Sequence, residues 1–524
     1  MSARLTRRRL LASGAASAAL LSQGTGLGRA LAAAAARPRV AGMNVLVFIT
    51  DQERGIQHFP KGWARDNLPG LTRLQQHGLT FENACTSSCM CSPARATLMT
   101  GYFPAQHGVK YTLEENMHPP KNPQVQLSTR FRNVASVAAG SGYSAVYKGK
   151  WHLCKPAGED YAPSDVGKYG FGRWNPPDAG ANQYPDQAGG GYANNDGRYM
   201  DSVGDADAGQ EGVLQYLGSE AACSQPFFLV VSLVNPHDGL AYPSSYTDFG
   251  YDDSWLEGSI DVPATIDEDL STKPTAQQQF LKMFNQMNGK LTTRDMQRAY
   301  LNFYGNLMKA SDAYLVEILD KLEETGLIDD TLVIKTSDHG EMGLAHGGLR
   351  QKNFNFYEES MRVPLVYSNP RLYPEPRRTG AMVSHVDFLP TLASLLRAPR
   401  NARGRWQGVD YSRLVLDPSS GPVQDYVVFT YDDYQSGQPT PPYPQPPNHV
   451  VGIRERRWKL AEYFDPKGEQ GPQWEMYDLR KDPLERRNIA YRKHHRTPEQ
   501  ERQFLRLRRK LARVQRTRLR PLGR

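Results

Sequence analysis

The sequence predicts an α/β protein built on a largely parallel sheet, and three observations carry that expectation. Several short runs are apolar throughout rather than alternating: Val45 to Ile49, Phe227 to Val234 and Leu332 to Ile334. Such runs suit central strands covered on both faces. Helix-period segments lie between them, with Leu301, Phe303, Leu307, Leu315 and Leu319 inside Arg298 to Thr325, and a shorter one from His385 to Leu396. Strands alternating with helices give parallel pairing. Third, each run ends in polar residues: Thr50-Asp51-Gln52, Asn235-Pro236-His237-Asp238 and Thr336-Ser337-Asp338-His339-Gly340.

In a parallel sheet, ligands bind beyond the carboxyl ends of the strands. Asp51, His237 and the Asp338-His339 pair are therefore expected at one edge. Any one of these acids could be a turn residue; three polar strand ends together point to a site. Two aperiodic stretches, Pro156 to Gly212 and Asp432 to Asn448, are long enough to serve as walls of a pocket.

Composition excludes several classes. A hydrophobic share of 39%, with Gly 46 and Pro 37, fits a loop-rich globular chain. No stretch after the N-terminus approaches the ~20 apolar residues of a transmembrane segment. The formal net charge of +8 is concentrated at the ends: residues 1–36 hold five Arg and no acid, and residues 501–524 hold nine Arg and Lys510 against Glu501. Taking away +5 and +9 leaves −6 for residues 37–500, so the body offers no case for nucleic acid. Five cysteines at 85, 89, 91, 154 and 223 are too few for a disulfide scaffold and lack paired CxxC zinc spacing.

At the N-terminus, Arg7-Arg8-Arg9 precedes a mildly apolar run from Ala12 to Leu21 and an Ala-rich stretch to Ala36. This reads as a twin-arginine-type signal peptide over 1–36, which implies the twin-arginine export machinery and a periplasmic or extracellular destination. At the other end, Phe504, Leu507, Leu511 and Val514 share one helical stripe, so residues 501–524 are expected to form a basic tail helix. Such a helix either packs its stripe on the acidic body or serves as a tether for polyanions.

The most specific signal is Cys91-Ser92-Pro93-Ala94-Arg95 continuing to Thr100-Gly101. Pro93 suits the first turn of a helix, whose N-terminus favours negative charge, and Arg95 lies one turn on from Cys91 and can face the same way. The segment resembles the sulfatase signature, as does Gly142 to His152, which ends Gly149-Lys150-Trp151-His152 with Ala145 and Lys148 departing from the usual pattern. The resemblance implies that a formylglycine-generating enzyme converts Cys91 to 3-oxoalanine (formylglycine). Its hydrate attacks sulfur and then expels sulfate by returning to the aldehyde. Carried over residue by residue, Arg95, Lys150, His152, His237 and Lys352 join Cys91 as catalytic and sulfate-binding residues. The same resemblance puts Asp51, Gln52, Asp338 and His339, beside Cys91, around a divalent cation. Oxygen ligands favour Ca²⁺ or Mg²⁺, whereas an imidazole suits Mn²⁺ better. Gln52 and His339 depart from the common Asp-Asp and Asp-Asn pairs and are closer to the choline-sulfatase and phosphonate monoester hydrolase branches. His107, His346 and His385 are expected to be structural or pocket-lining.

The likeness runs from Asn44 to the closing pattern Trp474 to Asn488. It implies an alkaline-phosphatase-like sandwich with a mostly parallel central sheet. A catalytic domain over 37–400 would be followed by a smaller C-terminal subdomain over 401–500 carrying a short antiparallel sheet. The expected activity is that of an arylsulfatase-like sulfuric ester hydrolase acting on a sulfate-ester substrate. The alternatives are a phosphonate or phosphate-ester hydrolase of the same superfamily, or a non-catalytic binder of sulfated glycans.

Overall fold

The structure, a computed structural model, describes residues 39–114, 117, 123–201, 210–438 and 440–522. The expected signal peptide lies outside the described residues. Ala41–Arg524 form one unit, distinct from Met1–Val40. Among the described residues no helix is long and apolar enough to cross a membrane.

Among the described residues, twelve strands make two sheets. They are β1 Asn44–Thr50, β2 Gly78–Cys85, β3 Ser88–Cys89, β4 Ser144–Gly149, β5 Phe227–Ser232 and β6 Thr331–Ser337, followed by β7 Leu365–Ser368, β8 Arg377–Ser384, β9 Tyr426–Tyr431, β10 His449–Glu455, β11 Trp458–Phe464 and β12 Gln473–Asp478. The large sheet has the order β4-β5-β1-β6-β7-β2-β8. Its first four strands are parallel neighbours, and only β7 runs against the rest. Every residue of β1, β5 and β6 is buried, as their unbroken apolar runs require.

The smaller sheet, β12-β11-β10-β9-β3, is antiparallel except at its edge, where β3 pairs parallel with β9 through Ser88–Thr430 and Cys89–Tyr431. The expected antiparallel sheet is therefore present, but it takes an edge strand from the N-terminal half, just ahead of Cys91.

Four helices shape the active-site region and its C-terminal support: α1 Cys91–Thr100, α2 Thr275–Asn288, α3 Arg294–Glu324 and α4 Pro498–Thr517. Every residue of α1 is buried, and it ends at Gly101, whose φ of +70° a side chain would adopt only under strain. In α3, Thr293 caps the first turn by accepting from Met296 N, and Leu301, Leu307, Leu315 and Leu319 turn inward. The helix is 31 residues long and starts four residues earlier than the sequence pattern places it.

The tail helix packs. Phe504, Leu507, Leu511 and Val514 are buried against Val451, Ile453, Leu460 and Met476 of the smaller sheet. Its start at Pro498 and end at Thr517 differ from the expected 501–524, because Thr497 and Gln500 form a capping box upstream. Four such side chains represent about 6–12 kcal/mol of gross apolar burial. Deleting residues 498–524 is thus expected to give an aggregating chain by gel filtration and circular dichroism. A monodisperse, cooperatively folded truncation would contradict that packing.

His346 is buried and stacked on Tyr357 at 3.6 Å. Its Nδ1 lies 2.7 Å from Glu268 Oε2 and its Nε2 3.7 Å from Glu359 Oε2. Burial would lower its pKa, but the two carboxylates raise it to about 9. Because this lies above the unfolded value of 6.5, the stabilisation is full below pH 6.5 and is lost as pH rises through 9. Up to about 3 kcal/mol is expected to disappear over that interval. Urea denaturation at stepped pH checks it: His346→Gln should flatten the alkaline slope, and an unchanged slope would refute the assignment.

Candidate active site

Four adjacent parallel strands deliver the site at one edge. After β1 comes Asp51, after β6 Asp338 and after β4 Lys150, while β5 ends at Ser232. Arg95 reaches across all four from one turn into α1. Its Nε donates to Asp338 Oδ2 at 2.9 Å and a terminal nitrogen to Asp51 Oδ2 at 3.1 Å. The other terminal nitrogen donates to Ser232 Oγ at 2.7 Å and to Lys150 O at 2.9 Å. The guanidinium is 0% exposed, so its charge is balanced entirely within the site.

Cys91 sits at the N-terminus of α1, its Sγ 3.2 Å from His339 Nε2 and 3.7 Å from Asp51 Oδ1. Burial, reinforced by Asp51, pushes its thiol up to about 12, so the sulfur stays protonated and is a poor nucleophile as it stands. Ligand atoms of Asp51, Cys91, Asp338 and His339 all lie within 4.8 Å of one another. Burial would raise the Asp51 carboxyl, yet the charges of Lys150 and Arg95 hold it well below the usual range. Burial lowers His339 to about 4, leaving the neutral imidazole that a metal requires. Its Nδ1 lies 3.0 Å from Gly340 O, which directs Nε2 at the cluster.

Gln52, at φ +72°, presents its amide to the rim of this cluster. Its Nε2 donates to Glu341 Oε2 and its Oε1 accepts from Lys352 Nζ, both at 2.6 Å. A carbonyl oxygen has a second lone pair, so Gln52 could serve a cation only while sharing Oε1 with Lys352.

Lys150 Nζ lies 2.6 Å from Asp51 Oδ2 and donates to Gly180 O at 2.9 Å. His152, at φ +57°, has its backbone N–H on Asp178 and its Nε2 2.8 Å from Leu113 O. A carbonyl there fixes the proton on Nε2, so Nδ1 is an acceptor, and it is buried without a hydrogen-bond partner among the described residues. His237, only 9% exposed, is pushed well below its usual pKa by burial and by Lys150.

Cys91, His152, His237 and Lys352 open into one narrow cavity. Gly180, Asn182 and Gln183 from the first aperiodic stretch line it, as do Ser436 and Gln438 from the second, so both stretches contribute walls. Phe280, Met283, Phe284 and Met287 of α2 add an apolar wall that the sequence pattern does not place there. His107, His346 and His385 are buried outside the cavity lining. All five cysteines are free.

Residues that sequence reasoning missed hold this machinery in position. Asp178 accepts from the backbone N–H groups of both Trp151 and His152, and lies in an aperiodic stretch with no local signal. Glu341 accepts from Gln52, Tyr300, Gly343 N and Gln351 N. No local pattern marks it, because its partner Gln52 is distant in sequence.

The sulfatase family model matches residues 43–398, and that of the N-sulphoglucosamine sulphohydrolase C-terminal region matches 346–516. The chain belongs to the sulfatase family and is a sulfuric ester hydrolase. It is 28% identical to a choline-sulfatase of Rhizobium meliloti over 85% of this chain and 82% of that one. It is also 24% identical to an ulvan-active sulfatase of Formosa agariphila over 85% and 76% respectively. Among solved structures, a 2-O glycosaminoglycan sulfatase superposes with a TM-score of 0.67 at 22% identity, covering 91% of this chain and 92% of that one. A phosphonate monoester hydrolase of Agrobacterium radiobacter gives 0.64 at 22% identity, covering 91% and 96%. These likenesses define the fold: the alkaline-phosphatase-like α/β architecture with a second, smaller sheet.

Proposed function

We propose that the site hydrolyses a sulfate monoester to an alcohol and inorganic sulfate, with Cys91 matured to formylglycine. Asp51, Asp338 and His339, with Gln52 sharing its carbonyl, would hold a divalent cation. The observation that carries this reading is the cluster of donor atoms within 4.8 Å around Cys91, flanked by buried lysines and opening to a single cavity. The donors fit a hard or borderline cation, Ca²⁺, Mg²⁺ or Mn²⁺. The cation would supply charge compensation at the nucleophile, and formylglycine the attacking hydroxyl.

The chain's own residues do the rest. Arg95 fixes the two carboxylates. Lys150 and Lys352 meet the sulfate oxygens as charge-assisted donors. His152 Nδ1 accepts the nucleophile's proton or hydrogen bond. His237, neutral at rest, gains basicity when an anion binds beside it and then donates to the leaving oxygen. An export leader over 1–36 and a maturation enzyme acting on Cys91 complete this reading.

The imidazole of His339, 3.2 Å from Cys91 Sγ, supports a second reading as a phosphonate or phosphate-ester hydrolase. A curated relative of Trinickia caryophylli, 26% identical over 69% of this chain, is described as a multifunctional alkaline phosphatase superfamily protein. Sulfate release from aryl, carbohydrate and choline sulfates, beside turnover of a phenyl phosphonate monoester, decides between them. We expect kcat/KM for the best sulfate ester to exceed that for the phosphonate by at least about 10-fold, which is about 1.4 kcal/mol of transition-state preference. The reverse order would establish the second reading.

A further inference from the structure

With the apolar stripe of α4 turned inward, its outer face is set by arginine. Taking about 100° per residue, Arg502, Arg509, Arg513 and Arg516 fall within an arc of about 60°, over about 21 Å of helix. All four are exposed, and among the described residues none pairs with a carboxylate. The neighbouring cations differ. Arg506 and Lys510 share Glu455, and Arg508 lies over the rings of Trp474 and Phe504. The two acids of the first turn, Glu499 and Glu501, are taken by Arg457 and Arg496. Like charges at i,i+3 and i,i+4 oppose the helix by a few tenths of a kcal/mol each. Four guanidinium groups have thus been left side by side at some cost, on a chain whose residues 37–500 carry −6.

We propose that this strip is a docking surface for a sulfated polysaccharide, held by guanidinium–sulfate contacts away from the catalytic cavity. The choice of sulfate rests on the sulfatase reading of the active site. Guanidinium forks bind tetrahedral oxyanions in bidentate fashion and shed water more easily than ammonium groups. A chain bearing anions along its length engages several arginines at once, and each contact after the first is intramolecular. Other polyanions fit less well. Single-stranded nucleic acid needs open aromatic platforms, and the ring faces of Trp474 and Phe504 are covered by Arg508. A membrane surface needs an outward apolar face, and that of α4 is inward and buried. Beside the strip lies an open groove bounded by Leu505, Arg509, Trp474 and Glu462.

The test compares the full chain with the quadruple variant Arg502→Gln, Arg509→Gln, Arg513→Gln and Arg516→Gln on immobilised dextran sulfate, plain dextran and duplex DNA. The wild type is expected to be retained on dextran sulfate in 0.1 M salt. The variant should bind at least about tenfold more weakly, with a shallower dependence on log salt, as counterion release requires. Its melting temperature and its kcat/KM on p-nitrophenyl sulfate should match the wild type. Arg506→Gln with Lys510→Gln, which removes cations already paired to Glu455, should lose less. Undiminished retention of the quadruple variant overturns the proposal, as does binding to DNA equal to that on dextran sulfate. Column retention involves no turnover, so it is separable from the active site. A chain that docks through the strip yet releases no sulfate from any ester would sink the sulfatase mechanism, not the strip.

Discussion

Cys91→Ala is expected to lower sulfate release on the order of 10⁵- to 10⁶-fold, the scale on which losing a covalent nucleophile acts. Folding should be little affected, since alanine fills most of the small buried space at the start of α1 and no hydrogen bond of the helix depends on the sulfur. A melting temperature within a few degrees of the wild type would separate loss of chemistry from loss of fold. Mass spectrometry of the tryptic peptide supplies the second arm: in active enzyme the residue at 91 should carry an aldehyde in place of the thiol. A fully active preparation with Cys91 intact as thiol would rule the formylglycine mechanism out. Cys89→Ala, in the adjacent strand β3, should keep the chemistry even if it costs some stability.

Asp338→Asn should produce the second largest effect. Asp338 Oδ1 accepts from Gln52 N at 3.0 Å and from His339 N at 2.9 Å, while Oδ2 accepts from Arg95 at 2.9 Å. The amide keeps the shape but removes one of the two carboxylates that face the proposed cation site and Arg95. Cation affinity should fall on the order of 10²-fold or more, with activity falling alongside it and partly restored by excess metal. Inductively coupled plasma mass spectrometry of the purified variant reads the loss directly. Full metal content with full activity would show that the cation is held elsewhere. Asp338→Ala goes further, leaving Arg95 half-paired in a buried site, and should cost about 3–5 kcal/mol of stability as well.

The strand ends were legible because each apolar run stops abruptly at a polar residue: Ile49 before Thr50-Asp51, and Ile334 a few residues before Asp338. A short motif also carries local geometry, which is why Arg95 could be placed one turn from Cys91. What could not be read is whatever depends on distant partners. Asp178 serves the His152 backbone from a stretch without periodicity. The apolar wall of α2 looks from sequence like any amphipathic helix, its cavity-facing side chains indistinguishable from core. Glu341 announces itself only once Gln52, far away in sequence, is seen to need an acceptor. The two-residue strand β3 is too short for any pattern to show.

That short strand sets a timetable. Ser88–Cys89 finds its partner in Thr430–Tyr431, so the segment leading into Cys91 is not latched until the ribosome has made more than three hundred further residues. At about 5–20 residues per second, this leaves an interval on the order of 20–70 s. During it, the cysteine is reachable and its surroundings are unfinished; once the latch closes, it is 2% exposed. The modification proposed for Cys91 would therefore have its access during synthesis, and the C-terminal residues that pair with β3 would set how long that access lasts.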